Sequence, residues 1–359
     1  MVKKVTLISI LLSTLINAGE LSTNKYDSNT KIGDTDFMAG ISYAYISWEA
    51  ASLAGGNNGY ENTAEVSYNI ESSIYQKIYA EGRIQGNRLA ISYMKNESSD
   101  KTLNKSSEYL SFFVDFNNLA PDNMYLRIEV SQGNIVGEAT YTAKDIPETK
   151  SLTPDGTVQP FEGTLNRYAL LFLTKKGFGG GFEYSNYSIP TAVSFKRDST
   201  VDYAEYVALD PKFEINTFKI KGFFDYLTYA RNHFRNYSNW AGSIAGSIGI
   251  DQRQLDKENV KRIQSEIAAD RGINVSDVDI TDVSYGLSVD TEFYFGWLYQ
   301  KRLFDSNNIG YSTMVGYQAR LSYNGAITAT GESVSETYQI GSRRYDMWHG
   351  PYVSVNIIF

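Results

Sequence analysis

The sequence predicts an all-β fold: an antiparallel transmembrane β-barrel of about 14 strands, roughly 12–16, because strand boundaries read this way err by about 2–4 residues. Three observations carry that prediction. Apolar and polar residues alternate with a period of two through most of the chain, and in two late segments the alternation outlasts an ordinary strand. Tyrosine is abundant, with 28 Tyr against 18 Phe and 4 Trp in 359 residues. It suits both strands and membrane interfaces, where the ring is buried while the hydroxyl stays wet. Beyond the first residues, no apolar run approaches the roughly 20 residues of a spanning helix. A chain that crosses lipid without such helices must close a barrel to satisfy its own backbone hydrogen bonds.

The first element, residues 1–18, reads as an export signal. Met1-Val2-Lys3-Lys4 is a short basic start, Val5 to Ile16 is apolar apart from Ser and Thr, and Asn17-Ala18-Gly19 supplies small residues for cleavage after Ala18. The apolar run of about a dozen residues is too short for a membrane anchor. Residues 19–35 read as an N-terminal extension and 36–359 as the barrel. The net charge of -8, more negative still once Lys3 and Lys4 are removed, argues against nucleic acid and anionic membrane surfaces as partners. With Cys 0 there is no disulfide framework, thiolate zinc site, cysteine nucleophile or lipid-modified cysteine.

Candidate strands follow at Asp36–Trp48, Asn62–Ile70, Ile74–Ile84, Arg88–Lys95, Glu108–Phe116, Met124–Ser131, Asn134–Tyr141, Arg167–Lys175, Phe178–Ser188, Val201–Leu209, Phe213–Phe224 and Ser238–Ile250. Lys175 to Gly181 imitates a phosphate loop, but no Gly-Lys-Ser/Thr follows and no helix opens, so its glycines read as a hairpin turn. Asp251–Asp282 holds one helical stretch, an insertion near residues 251–272. Asp251 is placed to cap it, Leu255, Val260, Ile263 and Ile267 recur at helical spacing, and Gly272 ends it.

The two decisive strands come next. Val283, Tyr285, Leu287, Val289, Thr291, Phe293, Phe295, Trp297 and Tyr299 share one face. Ser284, Gly286, Ser288, Asp290, Glu292, Tyr294, Gly296 and Gln300 share the other, with Leu298 as the apolar intruder. Ile309–Tyr323 repeats the pattern after the short polar connection Lys301–Asn308. Strands of soluble proteins usually run about 5–6 residues, whereas membrane-barrel strands need about 9–11 for the apolar band alone. A large soluble barrel or sandwich with unusually long strands is the competing reading.

The chain closes on Gly350-Pro351-Tyr352-Val353-Ser354-Val355-Asn356-Ile357-Ile358-Phe359. A terminal Phe359 with Ile357, Val355 and Val353 alternating back from it resembles the insertion signal of Gram-negative outer-membrane β-barrel proteins. The resemblance implies residence in outer-membrane lipid and recognition of this strand by the barrel-assembly machinery. A last strand that runs inward then puts Lys301–Asn308 in the periplasm and Asp251–Asp282 outside.

Little chemistry is legible. His233 and His349 are the two histidines, and read best as loop or interface residues; a lipolytic triad would have to use one of them. Asp277, Asp279 and Asp282 lack the Gly and Glu of a calcium loop. No catalytic, cofactor or metal site is expected. The charges expected to face inward are Arg127, Glu129, Lys219, Lys221, Asp225, Asp290, Glu292 and Arg320, as pore-lining residues that set the field in a channel, or as pairs that fill a narrow core. A porin-like passive channel for ions or small hydrophilic solutes leads. A structural or adhesive surface barrel comes second, and an outer-membrane hydrolase third.

Overall fold

The computed structural model describes residues 37–54, 64–69, 73–84, 87–96, 108–117, 124–143, 149–196, 205–208, 212–233, 236–281, 283–303, 309–327, 337–341 and 343–358. The expected signal segment, the N-terminal extension and Phe359 lie outside them. Their strands are β1 (Phe37–Ala54), β2 (Ala64–Asn69), β3 (Ser73–Ile84), β4 (Asn87–Asn96), β5 (Glu108–Phe116), β6 (Met124–Ala143), β7 (Lys150–Ser151), β8 (Val158–Thr174) and β9 (Phe178–Pro190). There follow β10 (Val193–Lys196), β11 (Tyr206–Ala208), β12 (Lys212–Asp225), β13 (Tyr237–Leu255), β14 (Asp279–Ile280), β15 (Val283–Arg302), β16 (Gly310–Ile327), β17 (Thr337–Gly341) and β18 (Arg343–Ile358). Helix α1 (Tyr226–His233) lies between β12 and β13, and α2 (Lys257–Arg271) between β13 and β14. No helix among the described residues is long and apolar enough to cross a membrane.

Twelve antiparallel strands close a ring in the order β1-β3-β4-β5-β6-β8-β9-β12-β13-β15-β16-β18, sealed where Met38 to Leu53 pair with Ile358 to Arg343. Closure removes the sheet edges that would otherwise expose unpaired backbone groups. The start of β1 and the end of β18 lie at one mouth, the terminal mouth. The connection after β15 turns there, and the 251–282 segment rises from the far mouth, in the relative arrangement the sequence implied.

Three readings separate the expected strand count from the observed ring. Met124–Ser131 and Asn134–Tyr141 are one uninterrupted strand, β6. Val201–Leu209 contributes only the short β11, outside the ring. Asn62–Ile70 and Ile74–Ile84 run in one direction against β1 with a one-residue register step, Leu53↔Glu65 against Ile46↔Ser73, so β2 continues β3 past a bulge. Beyond the short β4 and β5, β2 pairs directly with β6. The wall therefore narrows from twelve strands at the terminal mouth to ten at the far one.

The alternation sorts as lipid and lumen require. Outward side chains are large and exposed, with Phe182 at 64%, Ile220 at 63% and Val315 at 64%. On β13 the outward series runs from Trp240 through Ile244 and Ile248 to Ile250. Ten residues at about 3.4 Å, tilted by about 40°, make a band roughly 26 Å tall, close to the apolar height of outer-membrane barrels. Its upper edge is drawn in register. Tyr168, Tyr184, Phe218 and Ile250 form one row across β8, β9, β12 and β13, and Asn166, Asn186, Asn216 and Gln252 form the next. Tyr184 Oη donates to Asn216 Oδ1 at 2.7 Å, and Asn186 Nδ2 to the same oxygen at 2.9 Å. Aromatic rings thus end the apolar band and amides begin the wet zone.

Both mouths are covered from within the chain. At the far mouth, β14-β17-β10-β11-β7 form a five-stranded sheet drawn from four separate connections. With α2 it encloses an apolar core in which Phe195, Tyr206, Ile263, Ile267 and Ile280 pack on Phe213, Ile215 and Leu255 of the wall. The cap of α2 is Asp256, whose carboxylate accepts from the Glu258 and Asn259 amides, and Gly272 ends the helix at φ 65°. Asp251, the cap read from the sequence, instead belongs to β13. Arg253 and Leu255 continue its inward face, so the strand alternation runs further than the helical spacing suggested. At the terminal mouth α1 places Ala230 against Ala44, Ile46, Leu298, Met314 and Tyr352. That contact accounts for Leu298, the apolar residue on an otherwise polar face. Of the glycine run after β8 only Gly177, at φ 92°, makes the expected hairpin turn. Gly179, Gly180 and Gly181 lie within β9, where a Cβ at Gly179 or Gly181 would meet the Phe172 or Leu170 carbonyl oxygen of β8.

Candidate functional site

The site this fold builds is the barrel interior, where strand alternation aims one side chain in two at the axis. Around its middle runs a belt of charge. Arg88 grips Glu81 through two hydrogen bonds of 2.5 and 2.8 Å, and Arg127 grips Asp115 through two of 2.6 and 2.9 Å. Both guanidiniums lie over the Phe113 ring, at 4.9 and 4.3 Å. Arg127 also reaches Glu129 at 3.4 Å. Arg167 meets Glu183 at 2.6 Å and Glu292 at 3.4 Å, and Lys221 stands 3.6 Å from both carboxylates. Lys219 pairs with Asp290, which Arg320 approaches at 3.8 Å and to which Ser322 donates at 2.6 Å.

These residues comprise six cations and six carboxylates. Charges placed in a low-dielectric interior are tolerated when paired and hydrogen-bonded. Every belt charge has an opposite charge within reach, and Arg88–Glu81, Arg127–Asp115 and Lys219–Asp290 are hydrogen-bonded as well. Arg167 Nε and Nη2, Glu183 Oε2 and Arg320 Nε are buried without a hydrogen-bond partner among the described residues. The belt also bridges the lumen. Arg167 is on β8 and Glu292 on β15, with β9, β12 and β13 between them in the ring. Nearer the far mouth Arg344 of β18 lies 4.9 Å from the Tyr187 ring centre of β9, and Trp48 Nε1 donates to Asp346 at 2.7 Å. Beneath the belt, on one side, lies a cavity of about 180 Å³ lined by Arg127, Arg167, Lys221, Asp225, Glu292 and Tyr294, among others.

Of the inward charges read from the sequence, Arg127, Glu129, Lys219, Lys221, Asp290, Glu292 and Arg320 come together in this belt. Asp225 borders the cavity beside them but joins none of the belt's ion pairs. Its carboxylate accepts from the Thr228 amide at 2.9 Å and so starts α1. The belt also takes in Glu81, Arg88, Asp115, Arg167 and Glu183, which sequence reading did not single out. Their signal was available: each is a charge in step with the inward face of a strand whose other face is apolar.

The remaining candidates sit elsewhere. Val353, Val355 and Ile357 point outward into the apolar band. His349 is on the outer wall, stacked on Tyr317 and hydrogen-bonded to its hydroxyl, and His233 ends α1. Asp277 and Asp279 are exposed in the far-mouth connection, Asp282 lies outside the described residues, and no metal-holding group occurs among the described residues.

No family model and no curated protein matches the sequence. Among solved structures, the chain is similar to the outer membrane protease OmpT of Escherichia coli, at 8% identity and TM-score 0.35 over 94% of this chain and 100% of that one. It is similar to a FadL homologue of Pseudomonas aeruginosa at 8% identity and TM-score 0.30, over 90% of each chain. It is also similar to the beta domain of the Bordetella autotransporter BrkA at 7% identity and TM-score 0.30, over 87% of this chain and 98% of that one. The class follows from the molecule itself. A ring with no open edge, an apolar outer band of membrane height and a polar inner face describe a twelve-stranded β-barrel of the outer membrane.

Proposed function

We propose that this barrel is a closed surface scaffold whose working part is the cap over its far mouth, a structural or adhesive role without transport. The observation that carries this reading is contact across the lumen, from Arg167 to Glu292 and from Arg344 to the Tyr187 ring. Side chains that meet across the axis replace the water column a passive channel needs. The apolar core under the cap and α1 in the other mouth act in the same sense. On this reading the cap faces the medium around a Gram-negative cell, and the chain performs no hydrolysis. The test is electrical: the refolded protein inserts into planar bilayers and gives no steps of conductance. Steady ohmic steps from the intact chain overturn the proposal.

One observation favours the porin-like alternative. The Glu129, Glu292 and Arg320 side chains along the lumen keep 24%, 26% and 21% of their exposure, so part of the belt is wet. Under this reading α1 withdraws to open the path, and deleting residues 226–233 turns a silent barrel into a conducting one.

A further inference from the structure

The terminal mouth holds positive charge that the belt does not balance. Lys77 faces inward on β3, between the outward Gln76 and Ile78. A second cation, Arg231, stands on α1, the helix that packs on this wall, where the neighbouring Ala230 shares one cluster with Tyr75 of β3, Ala44 of β1 and Tyr352 of β18. Neither residue forms an ion pair among the described residues. The nearest carboxylate on the same inner face of β3, that of Glu81, is held by both hydrogen bonds from Arg88. Arg231 Nε is buried and has no acceptor. Strand register adds a third donor. Lys77 and Ser354 both pair with Ser42 of β1, which puts the three in one row across β3, β1 and β18. Ser354 is 5% exposed, and its hydroxyl has no partner. The helix is held over this wall by Gln300, which donates to the Arg231 carbonyl at 3.0 Å.

Two half-buried cations on facing elements without a carboxylate between them are unfavourable, and so is a buried donor without an acceptor. A single bound oxyanion removes both costs. We propose that Lys77, Arg231 and Ser354 form a site for a small oxyanion of the phosphate type, lodged between α1 and the wall of β3, β1 and β18. An ammonium, a guanidinium N–H and a hydroxyl are the donors that such an anion takes in charge-assisted hydrogen bonds. The bound anion ties α1 to β3, so occupancy stabilises the closed mouth by mass action.

The experiment uses the full barrel refolded in a neutral detergent. Inorganic phosphate is titrated against chloride at constant ionic strength, and unfolding is followed by tryptophan fluorescence. The unfolding temperature rises saturably with phosphate. Lys77→Gln and Arg231→Gln abolish the rise, and Lys77→Gln unfolds above the parent in phosphate-free buffer because the repulsion is gone. Lys301→Gln, at the exposed end of β15, keeps the full rise. Should Arg231→Gln fail to fold, Ser354→Ala weakens the rise by removing one hydroxyl. A flat titration, a rise unchanged in Lys77→Gln, or a Lys77→Gln barrel less stable than the parent without phosphate overturns the site. A second arm compares phosphatidylglycerol with phosphatidylcholine vesicles in phosphate-free buffer. A Lys77-dependent rise with the anionic lipid supports the site and names a headgroup phosphate as its source. No difference between the lipids, beside a positive titration, supports it with soluble phosphate as the source.

Discussion

Replacing Asp115 by Asn tests whether the lumen is packed or wet. The substitution keeps the shape of the side chain and removes its charge. Asp115 is 4% exposed and Arg127 7%, and the pair is bidentate at 2.6 and 2.9 Å, with Arg88 a further 3.6 Å away. Breaking a desolvated pair by removing one partner costs about 3–5 kcal/mol, because the remaining charge is stranded. Arg127 keeps Glu129 at 3.4 Å and Arg88 keeps Glu81, so the lower end, about 3 kcal/mol, is expected. That is more than a hundredfold in the folding equilibrium, at about 1.4 kcal/mol per decade. Urea unfolding of the barrel in lipid vesicles, followed by tryptophan fluorescence, measures it. Adding Arg127→Met to Asp115→Asn removes the stranded charge and recovers most of the loss, which a double-mutant cycle resolves. If Asp115→Asn alone stays within about 0.5 kcal/mol of the parent, the range of ordinary surface substitutions, water screens the belt and the closed-lumen argument fails.

Three further perturbations probe the wall, the plug and the cap. Ile244→Arg, at mid-height of the outward series on β13, costs about 2–4 kcal/mol in vesicles, as a cation at the bilayer midplane does; an unchanged urea midpoint would contradict lipid contact there. Leu298→Ala, at a position 0% exposed beneath Ala230, costs about 2–5 kcal/mol through the cavity it leaves, and limited proteolysis reports α1 loosening before the strands do. In the cap, the hydrogen bond from Lys150, joined by that from Tyr206, holds the Asp270 carboxyl below its usual range. A depressed folded pKa means stability that is present above the unfolded value of about 3.9 and lost as pH falls through the folded one. The protection factors of the cap amides therefore fall below about pH 4, and Asp270→Asn shows that lower protection already at neutral pH. A cap whose exchange ignores Asp270→Asn would remove this clasp.

What the sequence determined by itself is whatever repeats along one strand. Period two is local, so Val283–Tyr299 and Ile309–Tyr323 declare their lipid side without knowledge of their neighbours, as do Val353, Val355 and Ile357. The Gly177 turn and the Gly272 helix end are equally local, since each needs a positive φ that glycine supplies without strain. Closure belongs to the tertiary structure. Nothing in Val201–Leu209 distinguishes a strand of the ring from a strand of the cap, because alternation records which face is apolar and not which strand pairs with it. Whether an inward charge lines a pore or fills a core depends on what stands across the axis, and Arg167 meets Glu292 more than a hundred residues along the chain. Leu298 breaks its polar face for a helix that only the fold brings beneath it. The membrane side of this protein is written in its alternation, and the state of its lumen is decided by which strands face each other once the ring is shut.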